Sequence, residues 1–322
     1  GLPLLAEVRL SEAVVTASRV ATPVAGVLAA VSVVDRAMLD NAAQSSLRDV
    51  LAQLPGVQFA SNGGYRSTTG LFLRGASTSQ TLVLIDGVRV GSATSGGASL
   101  ENIPLSRIER IEVLRGAASA LHGPDAVGGV IQIFTREAGE GLQADANIGG
   151  GTDGQQQAGA SVRGTAGILG YSLGVSREKA TGISVISNPA ANAYNPDEDG
   201  FSASSVDAKL TAKLNPGHAL SIGLLRSDTE YQFDGTPFPN PLKLTRLTTD
   251  ARSRINLNHT TFKWDAQWLP QWNAALTVGS SDEQSAGDYF RTPDGAWGGN
   301  TRFNTNRRQA TWQNNITLDK DV

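Results

Sequence analysis

From about residue 140 onward, apolar and polar positions alternate with a period of two, the spacing of strands with two unlike faces. The run 206–214 is cleanest. Val206, Ala208, Leu210, Ala212 and Leu214 share one face; Asp207, Lys209, Thr211 and Lys213 share the other. Leu169–Val175 alternates likewise, as do Trp264–Trp268 and Trp272–Ala274 around the tight turn Leu269-Pro270-Gln271. The pattern predicts about eight strands, near 143–152, 155–165, 168–178, 203–214, 218–230, 251–268, 271–286 and 307–318. Short turns such as Asn215-Pro216-Gly217 alternate with long polar loops near 179–202, 231–250 and 287–306. A transmembrane barrel has short turns at one end and long loops at the other, with only alternate residues facing lipid. Trp264, Trp268, Trp272, Trp297 and Trp312 all fall in this part, and two of them flank a short turn, where an interfacial girdle would sit. A soluble β-sandwich with Trp in its core would share the alternation, but the asymmetry of the connections favours a barrel.

The first 140 residues read differently. Residues 7–26 bury no face and suggest an extended, mobile arm. Val31–Val34 reads as a strand, and Asp35 caps a short helix over 36–40. Ser45 or Ser46 caps a second helix whose stripe is Leu47, Val50, Leu51 and Leu54, stopped by Pro55-Gly56. Four apolar strands follow, within 71–75, 83–88, 108–116 and 128–133, punctuated at Arg-Gly, Asp-Gly, Arg-Gly and Gly-Gly. Asn62–Tyr65 and Val90–Gly97 are turn-rich loops. Arg74, Asp86, Arg89, Glu109, Glu112, Arg115 and Arg136 are interspersed with the strands. They form either a solvated sheet face or a face that meets a polar wall.

Composition narrows the function classes. Net charge is −3, so no global electrostatic case for nucleic acid exists. There are no Cys residues, which excludes thiolate metal sites and disulfides. Three His and no H-E-x-x-H, G-x-S-x-G or P-loop pattern leave enzyme readings without support. The longest nearly apolar run, Val24–Val34, is shorter than the ~20 residues a membrane helix needs, so any membrane role must use strands or surface contact. Gly1–Ala6 reads either as the tail of a secretory signal or as a plain start.

The order and spacing of the four strands, with Leu54-Pro55-Gly56-Val57 before them, resembles the plug domain of TonB-dependent outer-membrane transporters. Glu12, Ala13, Val14, Val15, Thr16 and Ala17 resemble the TonB box of that family, in its cobalamin-transporter form. The resemblance implies an α+β plug domain followed by antiparallel transmembrane β-barrel strands, part of a 22-stranded barrel. It divides the chain into an arm with the box (1–26), a plug (27–139) and the N-terminal part of a barrel (140–322). An eight-stranded barrel is filled by its own side chains, whereas 22-stranded ones hold a plug. The chain is therefore expected to supply only the first third or so of the barrel, and not to transport alone.

The implied function is TonB-dependent uptake of a scarce nutrient across the bacterial outer membrane. Cobalamin is the first reading, and a ferric siderophore or haem the alternative. A non-transporting surface-binding or signalling receptor is a rival of another class, and a soluble β-rich binding module a third. The implied partners are a TonB-type inner-membrane energy transducer, adding the box as a strand to its own sheet, outer-membrane lipid, and the nutrient. Nucleic acid is not among them. Asn62, Gly63, Gly64, Ser92 and Ser95 are the implied substrate contacts, small residues that admit a bulky ligand.

Asp197-Glu198-Asp199-Gly200-Phe201 resembles an outer-loop segment of the cobalamin branch where calcium orders the loops. Asp197 and Asp199, with Tyr231 and Asp234 from the next long loop, supply the hard oxygen ligands calcium takes. Gly182-Ile183-Ser184 and Pro241-Leu242-Lys243-Leu244 depart from the family's acids, which speaks against a full two-calcium cluster and leaves a solvated acidic turn as the other reading. No other cofactor and no catalytic residue is implied.

Overall fold

The structure, a computed structural model, describes residues 14–15, 22–23, 30–41, 46–61, 63–64, 66–67, 69–116, 118–191, 194–235, 249–291 and 297–318. Strand β1 (Val14–Val15) pairs antiparallel with β2 (Thr22–Pro23). Glu12, Ala13, Thr16 and Ala17 of the predicted box lie outside the described residues, as does Asn62.

An N-terminal body comes first. It comprises β3 (Ala30–Val34), α1 (Arg36–Asn41), α2 (Leu47–Ala52), β4 (Val57–Ser61), β5 (Thr69–Leu73), β6 (Thr81–Ile85), β7 (Val88–Val90), β8 (Ile108–Arg115), α3 (Ser119–His122) and β9 (Gly129–Thr135). Asp35 caps α1 by accepting from the Met38 N–H at 2.8 Å. Ser46, not Ser45, caps α2, its hydroxyl accepting from the Asp49 N–H at 3.2 Å. The helix stops at Ala52, before the predicted Leu54. Gly56 then turns the chain at φ +73°, and its carbonyl accepts from the Arg74 N–H at 2.8 Å.

The main sheet has the order β3-β8-β9-β6-β7, parallel only at β6–β9. β5 is not in this sheet; it pairs with β4, a strand hidden behind the Pro-Gly stop. Asp86-Gly87 does not merely end a strand. With φ of +46° and +86° it turns β6 back into β7, because that pair of left-handed residues matches the twist of a tight hairpin. Leu47, Leu51, Leu73, Ile85, Ile108, Ile111, Ile131 and Ile133 fill the core on one face of the sheet. Leu82, Leu84, Leu114 and Val130 cover the other with Ala118 and Ala126.

The second half is one antiparallel sheet of eight strands in sequential order, with β10 and β17 as its edges. Its strands are β10 (Leu142–Gly150), β11 (Gln156–Ala166), β12 (Leu169–Ile183), β13 (Asp199–Asn215), β14 (His218–Gly235), β15 (Thr249–Leu269), β16 (Trp272–Arg291) and β17 (Trp297–Ile316). Gly167-Ile168, Pro216-Gly217 and Pro270-Gln271 join strands at one end; residues 152–155, Ile183, Gly235 and Arg291 lie at the other.

Much of what reads as loop in 179–202, 231–250 and 287–306 is strand. The outward face explains why. On β14 it runs Leu220, Ile222, Leu224, then Arg226, Asp228, Glu230. Above the apolar band this face turns polar, so the period-two signal weakens while the backbone pairing continues to Gly235–Thr249. At the short-turn end, His218, Trp264, Trp268, Trp272 and Trp312 form one aromatic cluster, with ring centroids 5.2–6.3 Å apart. Rings with an apolar body and a polar edge suit the depth where hydrocarbon meets headgroups. The N-terminal body packs on the polar face of this wall, β7 against β16 and β17.

Candidate functional site

The seam between body and wall is built first from backbone. The β6–β7 turn is held by Gln309, whose Nε2 donates to the Gly87 carbonyl at 3.0 Å and whose Oε1 accepts from the Arg89 N–H at 3.2 Å. His259 Nε2 donates to the Ile85 carbonyl at 3.1 Å, and Arg307 Nε to the Gly91 carbonyl at 3.0 Å. Thr305 Oγ1 accepts from the Ala93 N–H at 2.9 Å.

Ion pairs add to this. Arg107, 4% exposed, faces Asp207, 5% exposed, across 3.2 Å. Its Nη2 donates to the carbonyls of Val175 at 2.9 Å and Ala160 at 3.3 Å. Arg66 pairs with Glu178 and donates to the Glu101 carbonyl. Asp86 accepts from the Thr135 N–H at 3.0 Å and faces Lys209 at 3.4 Å, while Glu109 faces Arg163 at 3.7 Å. Of the charges singled out in the sequence, Asp86 and Glu109 therefore reach the wall. Arg89 turns instead to Asp125, Glu112 to Arg110, and Arg115 to the Pro55 carbonyl, all within the body. Arg66 and Arg107 were not singled out. Each finds its acid in a distant strand, so no local pattern marks it.

At the long-loop end, Gly63 and Gly64 bring the loop after β4 against the wall. A Cβ on Gly64 would lie 3.2 Å from Val185 and 3.8 Å from the Asp199 carbonyl; one on Gly63 would lie 3.4 Å from Phe233. Ser92 is buried, and its hydroxyl accepts from the Thr94 and Ser95 N–H groups at 3.1 and 3.3 Å. It shapes the loop after β7, leaving Ser95 exposed at the tip.

Beside Gly64, beyond the apolar band, the chain gathers Asp197, Asp199 and Asp234, one carboxylate oxygen of each within 4.8 Å of the others. Asp234 and Tyr231 lie on β14, not in the loop after it. Asp199 Oδ2 accepts from the Val185 N–H at 2.9 Å. Both carboxylate oxygens of Asp234, and Oδ1 of Asp197, are buried without a partner. Burial, then the fields of Asp199 and Asp197, push Asp234 up to about 7. Asp199 and Asp250 are raised as well, chiefly by burial. Asp250 sits directly across from Asp234 on β15 and was missed, because its register is invisible in sequence. Carboxylates that repel one another and have only backbone N–H groups as donors fit a hard divalent cation of calcium's kind. Below them Phe201, Tyr231 and Ile255 form an apolar floor.

Toward the short-turn end, a cavity of about 770 Å³ separates the body from the wall, lined by Leu84, Arg110, Gln132 and Phe134 on one side and Lys209 and Thr277 on the other.

A small α+β body stoppering the polar face of an outer-membrane strand array defines a plugged receptor. Residues 23–130 match the TonB-dependent receptor plug domain. The N-terminal body is thus a TonB-dependent receptor plug domain, the kind of domain that outer-membrane β-barrel receptors carry. Over 308 residues it is 35% identical to the vitamin B12 transporter BtuB of Photobacterium profundum, covering 95% of this chain and 47% of that protein. Over 140 residues it is 48% identical to the vitamin B12 transporter BtuB of Vibrio vulnificus, covering 44% of this chain and 23% of that protein. The chain thus spans less than half the length of these relatives.

Among solved structures, a mutant of the ferric enterobactin receptor PfeA of Pseudomonas aeruginosa superposes with a TM-score of 0.69 at 20% identity, over 95% of this chain and 48% of that one. The siderophore receptor PiuA of Acinetobacter baumannii gives 0.68 at 17% identity, over 93% and 44%. These likenesses establish the shared fold.

Proposed function

We propose that this chain carries the plug and adjoining wall of a TonB-dependent transporter that moves cobalamin across the bacterial outer membrane, and that it is not an enzyme. The observation that carries this reading is the 35% identity to a vitamin B12 transporter, which runs through both plug and wall strands. In this reading residues 1–26, 27–139 and 140–322 are arm, plug and part of a 22-stranded barrel. A TonB-type inner-membrane partner takes Glu12–Ala17 as an added strand and pulls. Outer-membrane lipid covers the apolar band. Asn62, Gly63, Gly64 and Ser95 line the substrate side of the plug, with Ser92 holding their neighbouring loop in shape. Asp197, Asp199 and Asp234 would hold calcium, which would neutralise their mutual repulsion beside Gly64.

Binding of cyanocobalamin, ferric enterobactin and haem to the purified protein in detergent, with calcium and with chelator, tests the reading. Cobalamin binding that weakens in chelator is the expected result. Binding of the ferric chelate or haem instead would move the assignment to the siderophore or haem receptors. Binding without TonB-dependent uptake in cells would leave a surface receptor.

A further inference from the structure

Glu101 sits in the 3₁₀ turn Leu100–Asn102 between β7 and β8, which packs against β14 and β15 of the wall. It is 4% exposed, and no other residue donates a hydrogen bond to either carboxylate oxygen. Asn102 beside it is 1% exposed with both amide atoms unpartnered. Leu100, Leu225 and Leu257 belong to the apolar core cluster that encloses the turn. Nearby, Ser99 donates its hydroxyl to Glu283 of β16 at 3.1 Å, a direct plug-to-wall bond.

Three charged groups act on the Glu101 carboxyl: Glu283, Arg66 and Arg48. Arg66 gives its guanidinium to Glu178 and to the Glu101 carbonyl, not to the carboxylate. A carboxylate buried with no donor is among the least favourable states a side chain can hold, and such a group neutralises itself by keeping a proton.

We infer that Glu101 is a proton-binding site that seats the plug: neutral, it fits the dry seam between plug and wall, and each unseating of the 100–102 turn into water releases its proton. The energetics agree. Burial drives its pKa from 4.5 up to about 8, Glu283 pushes the same way, and its own backbone N–H, Arg66 and Arg48 oppose. For an acid whose pKa is raised in the seated state, that state holds the extra proton between the two values. Seating is therefore strongest below 4.5, weakens by about tenfold per pH unit up to about 8, and levels off above.

Amide hydrogen exchange across 99–103, followed in the protein in detergent micelles and corrected for intrinsic exchange, tests this. The opening constant is expected to climb about tenfold per unit between roughly pH 5 and 8 and then flatten. Glu101→Gln, neutral at every pH, is expected to remove the slope. A flat wild-type profile, or an undiminished slope in Glu101→Gln, would overturn the inference. Should that variant fail to fold, infrared spectroscopy of the wild type decides. A carboxylic-acid stretch that persists at about pH 7.5 and is lost by about pH 9 supports a proton on Glu101. Its absence at the lower pH refutes it.

Discussion

A Cβ built on Gly174 would stand 1.6 Å from an Arg107 guanidinium nitrogen, so the wall strand is hollowed at one residue to admit one plug side chain. Gly174→Ala is expected to expel Arg107 and leave Asp207 buried alone. Losing one partner of a buried pair costs about 3–5 kcal/mol. Urea denaturation that detects plug release before barrel unfolding should show the loss. An unchanged midpoint would mean the seam absorbs the methyl group elsewhere.

The Arg107–Asp207 pair itself should behave asymmetrically. Arg107→Met or Asp207→Leu alone should each destabilise the plug by several kcal/mol, while the two together should recover most of it, because an apolar contact replaces two desolvated charges. A double-mutant cycle on the same denaturation assay reads the coupling. Additive losses would show that the two side chains act separately.

Asp234 should make calcium binding pH-dependent. With its pKa near 7, it holds a proton below that pH and must release it to serve as a ligand. Affinity is therefore expected to fall about tenfold per unit below about pH 7 and to be nearly level above. Isothermal titration at about pH 6 and about pH 8, in two buffers of different ionisation heat, should show fewer protons released at the higher pH. Asp234→Asn should weaken binding and flatten its pH profile. Equal affinities at both pH values in the wild type would remove Asp234 from the ligand set.

Gly279 on β16 is a further close approach. A Cβ there would lie 2.4 Å from Val88 Cγ2 and 2.7 Å from the Thr260 carbonyl. Gly279→Ala is expected to push β7 off the wall at a cost of about 1–3 kcal/mol. Val88→Ala in the same chain should restore part of it, as judged by protease resistance of the plug. No rescue would place the clash on Thr260.

How much of this was legible in the sequence followed from local signals. Val206–Leu214 announced a wall strand because one face is apolar along its whole length. Of β14 only Tyr231–Gly235 went unread, because its outward face had already turned polar at Arg226, Asp228 and Glu230. Asp86-Gly87 carried a hairpin signal that β7, only Val88–Val90, was too short to repeat. Asp197 and Asp199 were found through a resemblance, and Asp234 was placed in a loop because the outward face of its strand is already polar by Arg226. Glu101, Arg66 and Arg107 look like ordinary surface charges. Only the packing of plug on wall takes them out of water, and that packing is non-local.

The wall grips the plug largely by main-chain oxygens, those of Ile85, Gly87 and Gly91 through His259, Gln309 and Arg307. Carbonyls are common to every residue type. Positions that offer only a carbonyl can therefore drift in composition over generations while the clasp stays constant, provided the left-handed bend at 86–87 survives with Asp86 on Lys209 and Val88 on Gly279. That makes this tip a natural cassette: foreign hairpins of the same bend should graft into the bore without redesigning the strands that hold them.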